Sequence, residues 1–278
     1  MTRKHLILTL LLAGLLAPVT QAAPAPSSIT WFPQTKGQQY QTYGLFIDNQ
    51  STLATLSGGS VWLSVAGGAA LAEMHQFASE PQLTFSASVN AGSKRFNNRV
   101  TGQTIDSRLM VSWDTQWNED FLVRIGYSHS SGHVVDDVYD KALEPPNYDG
   151  DALIFRNVFL GFHRWKLGVT LRPYIHTDPR GKVFAADEFF EYYPFWNSEA
   201  ERPVFFVAGG AEQYGADQFD LSLHLQAGLL FGEPFAKKHT QTTRFVIGVY
   251  KGPDPGLKTY VFRNHKTHFF YGAIMFDF

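Results

Sequence analysis

Cysteine is absent from the 278 residues, so no disulfide framework can brace this chain if it is exported. Its stability must then come from the backbone ladder and from packing. Long apolar runs are missing as well. Leu6 to Leu16 is apolar apart from Thr9, and no later stretch approaches the roughly 20 residues that a membrane-crossing helix needs. A chain of this kind meets a bilayer with strands or not at all. Charge of one sign is also lacking: Lys and Arg number 23 against 25 Asp and Glu, with no basic run that could track a phosphate backbone. Nucleic acid is therefore excluded as a partner. No Walker loop, dinucleotide fingerprint, zinc-ligand pattern or nucleophile elbow occurs.

What is present begins with an export signal. Arg3 and Lys4 precede the apolar run, and Thr20-Gln21-Ala22 supplies small residues where a signal peptidase cuts. This predicts a signal peptide over 1–22, a periplasmic segment over 23–38 and one barrel domain over 39–278. Aromatics are abundant, with 24 Phe, 12 Tyr and 6 Trp, although only 44% of the chain is hydrophobic. That combination fits a barrel with an apolar exterior, a polar lumen and aromatic girdles.

The C-terminus carries the clearest pattern. Phe270, Gly272, Ile274, Phe276 and Phe278 fall on one face, and Tyr271, Ala273, Met275 and Asp277 on the other. The alternation that ends on Phe resembles the terminal signature of outer-membrane proteins, which implies recognition by the barrel-assembly machinery. Further candidate strands lie near 39–48, 60–75, 82–93, 104–117, 120–131, 152–163, 167–177, 203–213, 219–232, 242–251 and 257–263. The expectation is an all-β, transmembrane, antiparallel up-and-down β-barrel of about 12 strands in the cell outer membrane.

Connection lengths give a second reading, because short periplasmic turns should alternate with longer external loops. Trp117-Asn118-Glu119-Asp120, His163-Arg164-Trp165-Lys166, Tyr214-Gly215-Ala216-Asp217 and Gly252-Pro253-Asp254-Pro255-Gly256 are tight. Links at 132–151, 178–202 and 233–241 are long, and both termini are expected in the periplasm. Within 178–202, the aromatic segment Asp187 to Trp196 is expected to fold into the barrel mouth as a plug. The lumen-side candidates Arg108, Arg124 and Glu212 are mixed in sign, unlike the single-signed ring of a selective pore.

The most informative strand is Phe121 to Ser131. Phe121, Val123, Ile125 and Tyr127 read as lipid-facing, Leu122, Arg124, Gly126 and Ser128 as lumen-facing, and continued alternation places His129 and Ser131 outward. A His beside a Ser on a lipid face can take the serine proton while an acyl ester enters from the leaflet. The sequence His129-Ser130-Ser131-Gly132 resembles the motif of outer-membrane phospholipase A and, more loosely, that of the lipid A deacylases. That likeness implies Ser131 as nucleophile, His129 as base, and Asn147, Asp149 or Asp151 as the group orienting the imidazole. On the neighbouring loop, His133, Asp136, Asp137 and Asp140 form an oxygen-rich cluster of the kind that can bind Ca²⁺, though no cofactor is required by the chemistry.

Over residues 40–278 the chain resembles an uncharacterised outer-membrane family, domain of unknown function 1207. The likeness rests on Asp106-Ser107-Arg108 opening a strand, on Tyr127, His129, Ser131, His133, Asp136 and Asp137 in one block, on Asn147-Tyr148, and on Tyr271-Gly272. It implies the fold and no activity. Two expectations of function follow. One is a non-enzymatic barrel with a structural, surface-interaction or narrow-channel role. The other is an envelope lipid hydrolase. In either case the expected partners are outer-membrane lipids and lipopolysaccharide, and the sequence sets no oligomeric state.

Overall fold

The computed structural model describes residues 29–33, 51–57, 59–75, 80–96, 99–118, 120–134, 147–162, 164–178, 183–196, 203–215, 219–235, 241–253 and 266–277. Strands alternate one residue in and one residue out along nearly all of this length. In chain order they are β1 (Ile29–Trp31), β2 (Ser51–Leu56), β3 (Ser60–Met74), β4 (Gln82–Phe96), β5 (Arg99–Asn118), β6 (Phe121–Val134) and β7 (Asn147–Phe162). They continue as β8 (Trp165–Asp178), β9 (Phe184–Tyr192), β10 (Val204–Gly215), β11 (Phe219–Phe231), β12 (Thr242–Pro253) and β13 (Lys266–Asp277).

Every strand from β2 to β13 pairs antiparallel with its chain neighbour, and β13 returns to β2 with Phe276 opposite Ser51. The result is a closed twelve-stranded barrel. Closure satisfies the backbone groups internally, the condition for placing a sheet in hydrocarbon. The short β1 is additional, pairing with Ala72–Met74 of β3. It is tied down by Thr30 Oγ1, 2.9 Å from His75 Nε2, while His75 Nδ1 lies 3.8 Å from both Glu73 and Glu80.

The exterior is apolar where a bilayer would lie. Leu63, Val65, Val111, Ile125, Phe155, Val169, Leu225, Ile247 and Phe270 all expose their side chains outward. Where β2 begins and β13 finishes, the terminal end of the barrel, aromatics line the outer edge. Phe121 packs on Phe159 at 4.8 Å, Trp165 stacks on Tyr192 at 4.3 Å, and Phe231 meets Phe245 at 5.6 Å. Exposed Glu188 and Asn157 interrupt this wall, so the outer face is not uniformly apolar as the sequence pattern suggested.

The interior is packed and charge-balanced. Cross-strand neighbours Asp114, Arg124, Arg156, Thr170, Asp187 and Glu212 form a belt of buried side chains around half the wall. Arg124 grips Asp114 with two bonds of 2.8 and 2.7 Å, and Arg172 donates to Asp187 at 2.7 Å and to Glu212 at 2.9 Å. Nearer the terminal end, fully buried Glu191 accepts from Arg244 at 2.8 Å and from the Tyr193 hydroxyl at 2.5 Å, with Lys166 Nζ at 3.4 Å. Tyr193, Phe206, Trp196 and Phe235 pack beside this cluster.

The fold corrects two parts of the sequence reading. Phe184 to Tyr192 lies in β9, so 178–202 is not one long external link. Asp187, Phe189 and Glu191 face the lumen as wall residues, and only Tyr193 and Trp196, beyond the strand, close in on the barrel end. Adding β9 reverses the direction of the strands that follow. Gly215 and Phe219, which flank the tight connection, therefore lie at the far end, and Phe231 and Thr242, which flank the longer one, lie at the terminal end. The alternation of short and long links does not hold over this half. The strand Ser51–Leu56 also escaped the sequence reading, whereas the proposed strands at 39–48 and 257–263, like Phe278, lie outside the described residues.

Candidate functional site on the outer wall

β6 carries the predicted alternation to its end. Leu122, Arg124, Ser128 and Ser130 are buried inward, while Tyr127, His129, Ser131 and His133 point outward near the far end. The three orienting candidates sit on β7, each opposite a different partner: Asp151 faces His129, Asp149 faces Ser131, and Asn147 faces His133.

Asp151 is the one that engages the imidazole. Its Oδ1 lies 2.9 Å from His129 Nδ1 and accepts a second bond of 2.5 Å from the Tyr127 hydroxyl. A carboxylate only accepts, so Nδ1 carries a proton, and in the neutral ring Nε2 then presents its lone pair away from the pair. This is the tautomer a general base needs. The His129 side chain is 41% exposed, open to a reactant outside the barrel.

Ser131 is arranged differently from the expectation. Its Oγ lies 3.4 Å from His133 Nε2, and among the described residues it makes no bond to His129. The reason is geometric: residues two apart on a strand are spaced by about 7 Å along it, so the two side chains meet only if both lean together. His133 leans toward Ser131, while Asp151 draws His129 across to β7. Of the proposed cation ligands, His133 is thus a partner of Ser131, and Asp136, Asp137 and Asp140 lie outside the described residues.

A feature the sequence did not reveal enlarges this patch. The β7–β8 register shifts between Asp151 and Ala152, because Asp151 pairs with His176 while Ala152 pairs with Tyr174. Ile175 is the extra residue, a β-bulge, and it reverses the phase of β8. Below the bulge the odd-numbered residues face out. Above it His176 and Asp178 do, bringing an imidazole opposite Asp151. Without the register, alternation alone would have assigned His176 to the lumen.

Together these features define a twelve-stranded transmembrane barrel with a packed, charge-balanced interior and a polar, imidazole-rich patch on its outer wall. Among solved structures, two chains are similar over most of its length. It is similar to the KdgM porin (TM-score 0.48, 11% identity, covering 83% of this chain and 98% of that one). It is also similar to LpxR from Salmonella typhimurium (TM-score 0.39, 9% identity, 82% and 99%). No family model matches the chain, and no curated protein matches it.

Proposed function

We propose that the protein is an outer-membrane barrel that acts at its outer wall, as a hydrolase of ester-linked acyl chains in envelope lipids. The observation that carries this is the outward His129–Asp151 pair at 2.9 Å. His129 Nε2 takes a proton from the attacking hydroxyl, and Asp151 holds the ring and stabilises the imidazolium that forms. Ser131 is the nucleophile of this reading, reaching His129 after its hydroxyl leaves His133 when an ester occupies the patch. Its oxygen attacks the acyl carbonyl, the alcohol leaves with the proton from His129, and water then releases the fatty acid by the same steps.

The packed lumen supports the same placement. Asp114, Glu191, Arg244, Tyr193 and Phe206 have no exposed surface, and a belt of both signs lacks the single-signed ring of a selective pore.

A second reading, a barrel with a structural or surface-interaction role, is favoured by one observation: Ser131 rests against His133 rather than His129. Fatty-acid release from phospholipid and from lipid A by purified wild type, His129→Ala and Ser131→Ala separates the two. The hydrolase reading expects release that falls by about 10²-fold or more in both variants. Absence of release by the wild type supports the structural reading.

A further inference from the structure

The wall opposite the His129 patch carries a different arrangement. At the far end, Lys251 of β12 and His268 of β13 stand directly opposite one another in register, and both point outward. Among the described residues neither side chain carries a hydrogen bond or an ion pair. Directly beneath them the wall is hollowed. The next outward pair is Val249 and Phe270, and the one below is Ile247 and Gly272. Ile247 is 72% exposed and Phe270 70% exposed, so the two stand out as ridges. Between and beside them the outward positions are small: Gly272, Ala227 on β11 and Thr55 on β2. The trough measures about 680 Å³ and shares Leu225, Val249 and Phe270 with a smaller depression of about 310 Å³ that reaches Lys251 and His268.

A hollow that runs from two nitrogen donors down into apolar wall matches an amphiphile with a phosphate at one end and an acyl chain at the other. Any stretch of barrel wall meets acyl chains. A cation and an imidazole set side by side at the head of a trough add recognition of an anion. A phosphomonoester, with a charge of about −1.5 to −2 at neutral pH, suits a two-donor site better than a singly charged diester does.

We propose that this wall is a binding site for lipid A, with Lys251 and His268 holding one phosphomonoester and an acyl chain lying in the trough between Phe270 and Ile247. The proposal is independent of hydrolysis at His129. It rests on the far end facing the cell exterior, which cysteine labelling tests separately.

The test is native mass spectrometry of the purified protein in detergent, titrated with lipid A, phosphatidylglycerol or phosphatidylcholine. The expected result is a one-to-one lipid A adduct, at least about tenfold tighter than either phospholipid. Two variants probe the two halves of the site. Lys251→Gln/His268→Gln removes the charge and one donor pattern and is expected to erase the preference. Gly272→Leu fills the trough and is expected to weaken lipid A binding while leaving the donors intact. It should fold, since a Cβ at Gly272 meets nothing closer than Thr55 Oγ1 at 3.9 Å. Equal binding of phosphatidylglycerol, or undiminished lipid A binding by either variant, would overturn the proposal.

Discussion

Asp151 Oδ1 stands 2.9 Å from His129 Nδ1 on the outer surface of the barrel, where alternation places both side chains on the wall rather than in the lumen. The same oxygen accepts from Tyr127 at 2.5 Å. One carboxylate therefore fixes the imidazole tautomer and is itself held in place.

If Asp151 orients His129, Asp151→Asn leaves the barrel folded and lowers acyl release by about 10²- to 10⁴-fold, because the amide can offer Nδ1 a donor and favour the wrong tautomer. Tyr127→Phe removes only the second bond to the carboxylate and is expected to cost less than about tenfold. Rates for the two variants on one lipid substrate check this. Equal losses would mean that the Asp151–His129 contact has no special role.

The pairing of Ser131 with His133 makes a separate prediction. His133→Ala frees the serine hydroxyl, so acyl release stays within about threefold of wild type or rises, whereas Ser131→Ala abolishes it. A loss at His133 comparable to that at His129 would move the base to His133.

Buried charge governs stability near the terminal end. Glu191→Gln leaves Arg244 and Lys166 facing each other without their shared carboxylate, at a cost of about 3–5 kcal/mol. Urea unfolding in micelles measures it. A Glu191→Leu/Arg244→Leu double variant removes both members of the closest pair and is expected to lose less than Glu191→Leu alone, because only Lys166 is then left without the carboxylate.

The packed interior predicts that the wild-type barrel shows no steady conductance in planar bilayers. Tyr193→Ala/Trp196→Ala deletes the aromatic packing at the terminal end, yet the belt of Asp114, Arg124, Arg172, Asp187 and Glu212 still fills the wall farther in. The double variant is therefore also expected to stay closed. Stable wild-type channel steps would restore the narrow-channel expectation.

The corrected strand directions can be read by labelling, since the chain has no native cysteine. With the termini in the periplasm, Ser57→Cys lies outside the cell and reacts with an impermeant maleimide on intact cells, while Glu233→Cys does not. The opposite pattern at Glu233 would return 233–241 to the exterior, where loop length alone had put it.

Much of the barrel was legible because its outer face must be apolar. Phe270 to Phe276 and Phe121 to Tyr127 announce their strands by alternation alone. β9 was not legible for a physical reason. Its Asp187 and Glu191 read as loop residues until Arg172 and Lys166 on the adjoining β8, and Arg244 on the more distant β12, neutralise them. β2 is six residues long, too short for a period to stand out. At the candidate site the sequence supplied His129 and three possible partners, and only the β6–β7 register could select Asp151. His176 stayed hidden because a single bulged residue, Ile175, reverses the face of everything beyond it.

The most direct test of the central claim is chemical rescue. Fatty-acid release from lipid A and phospholipid is measured for wild type and for His129→Gly, with and without added imidazole. Base catalysis by His129 predicts release by the wild type, a loss of about 10²-fold or more in the variant, and partial recovery with imidazole, which can reach an open site on the outer wall. Equal rates for variant and wild type, or no release from any lipid by the wild type, would contradict it.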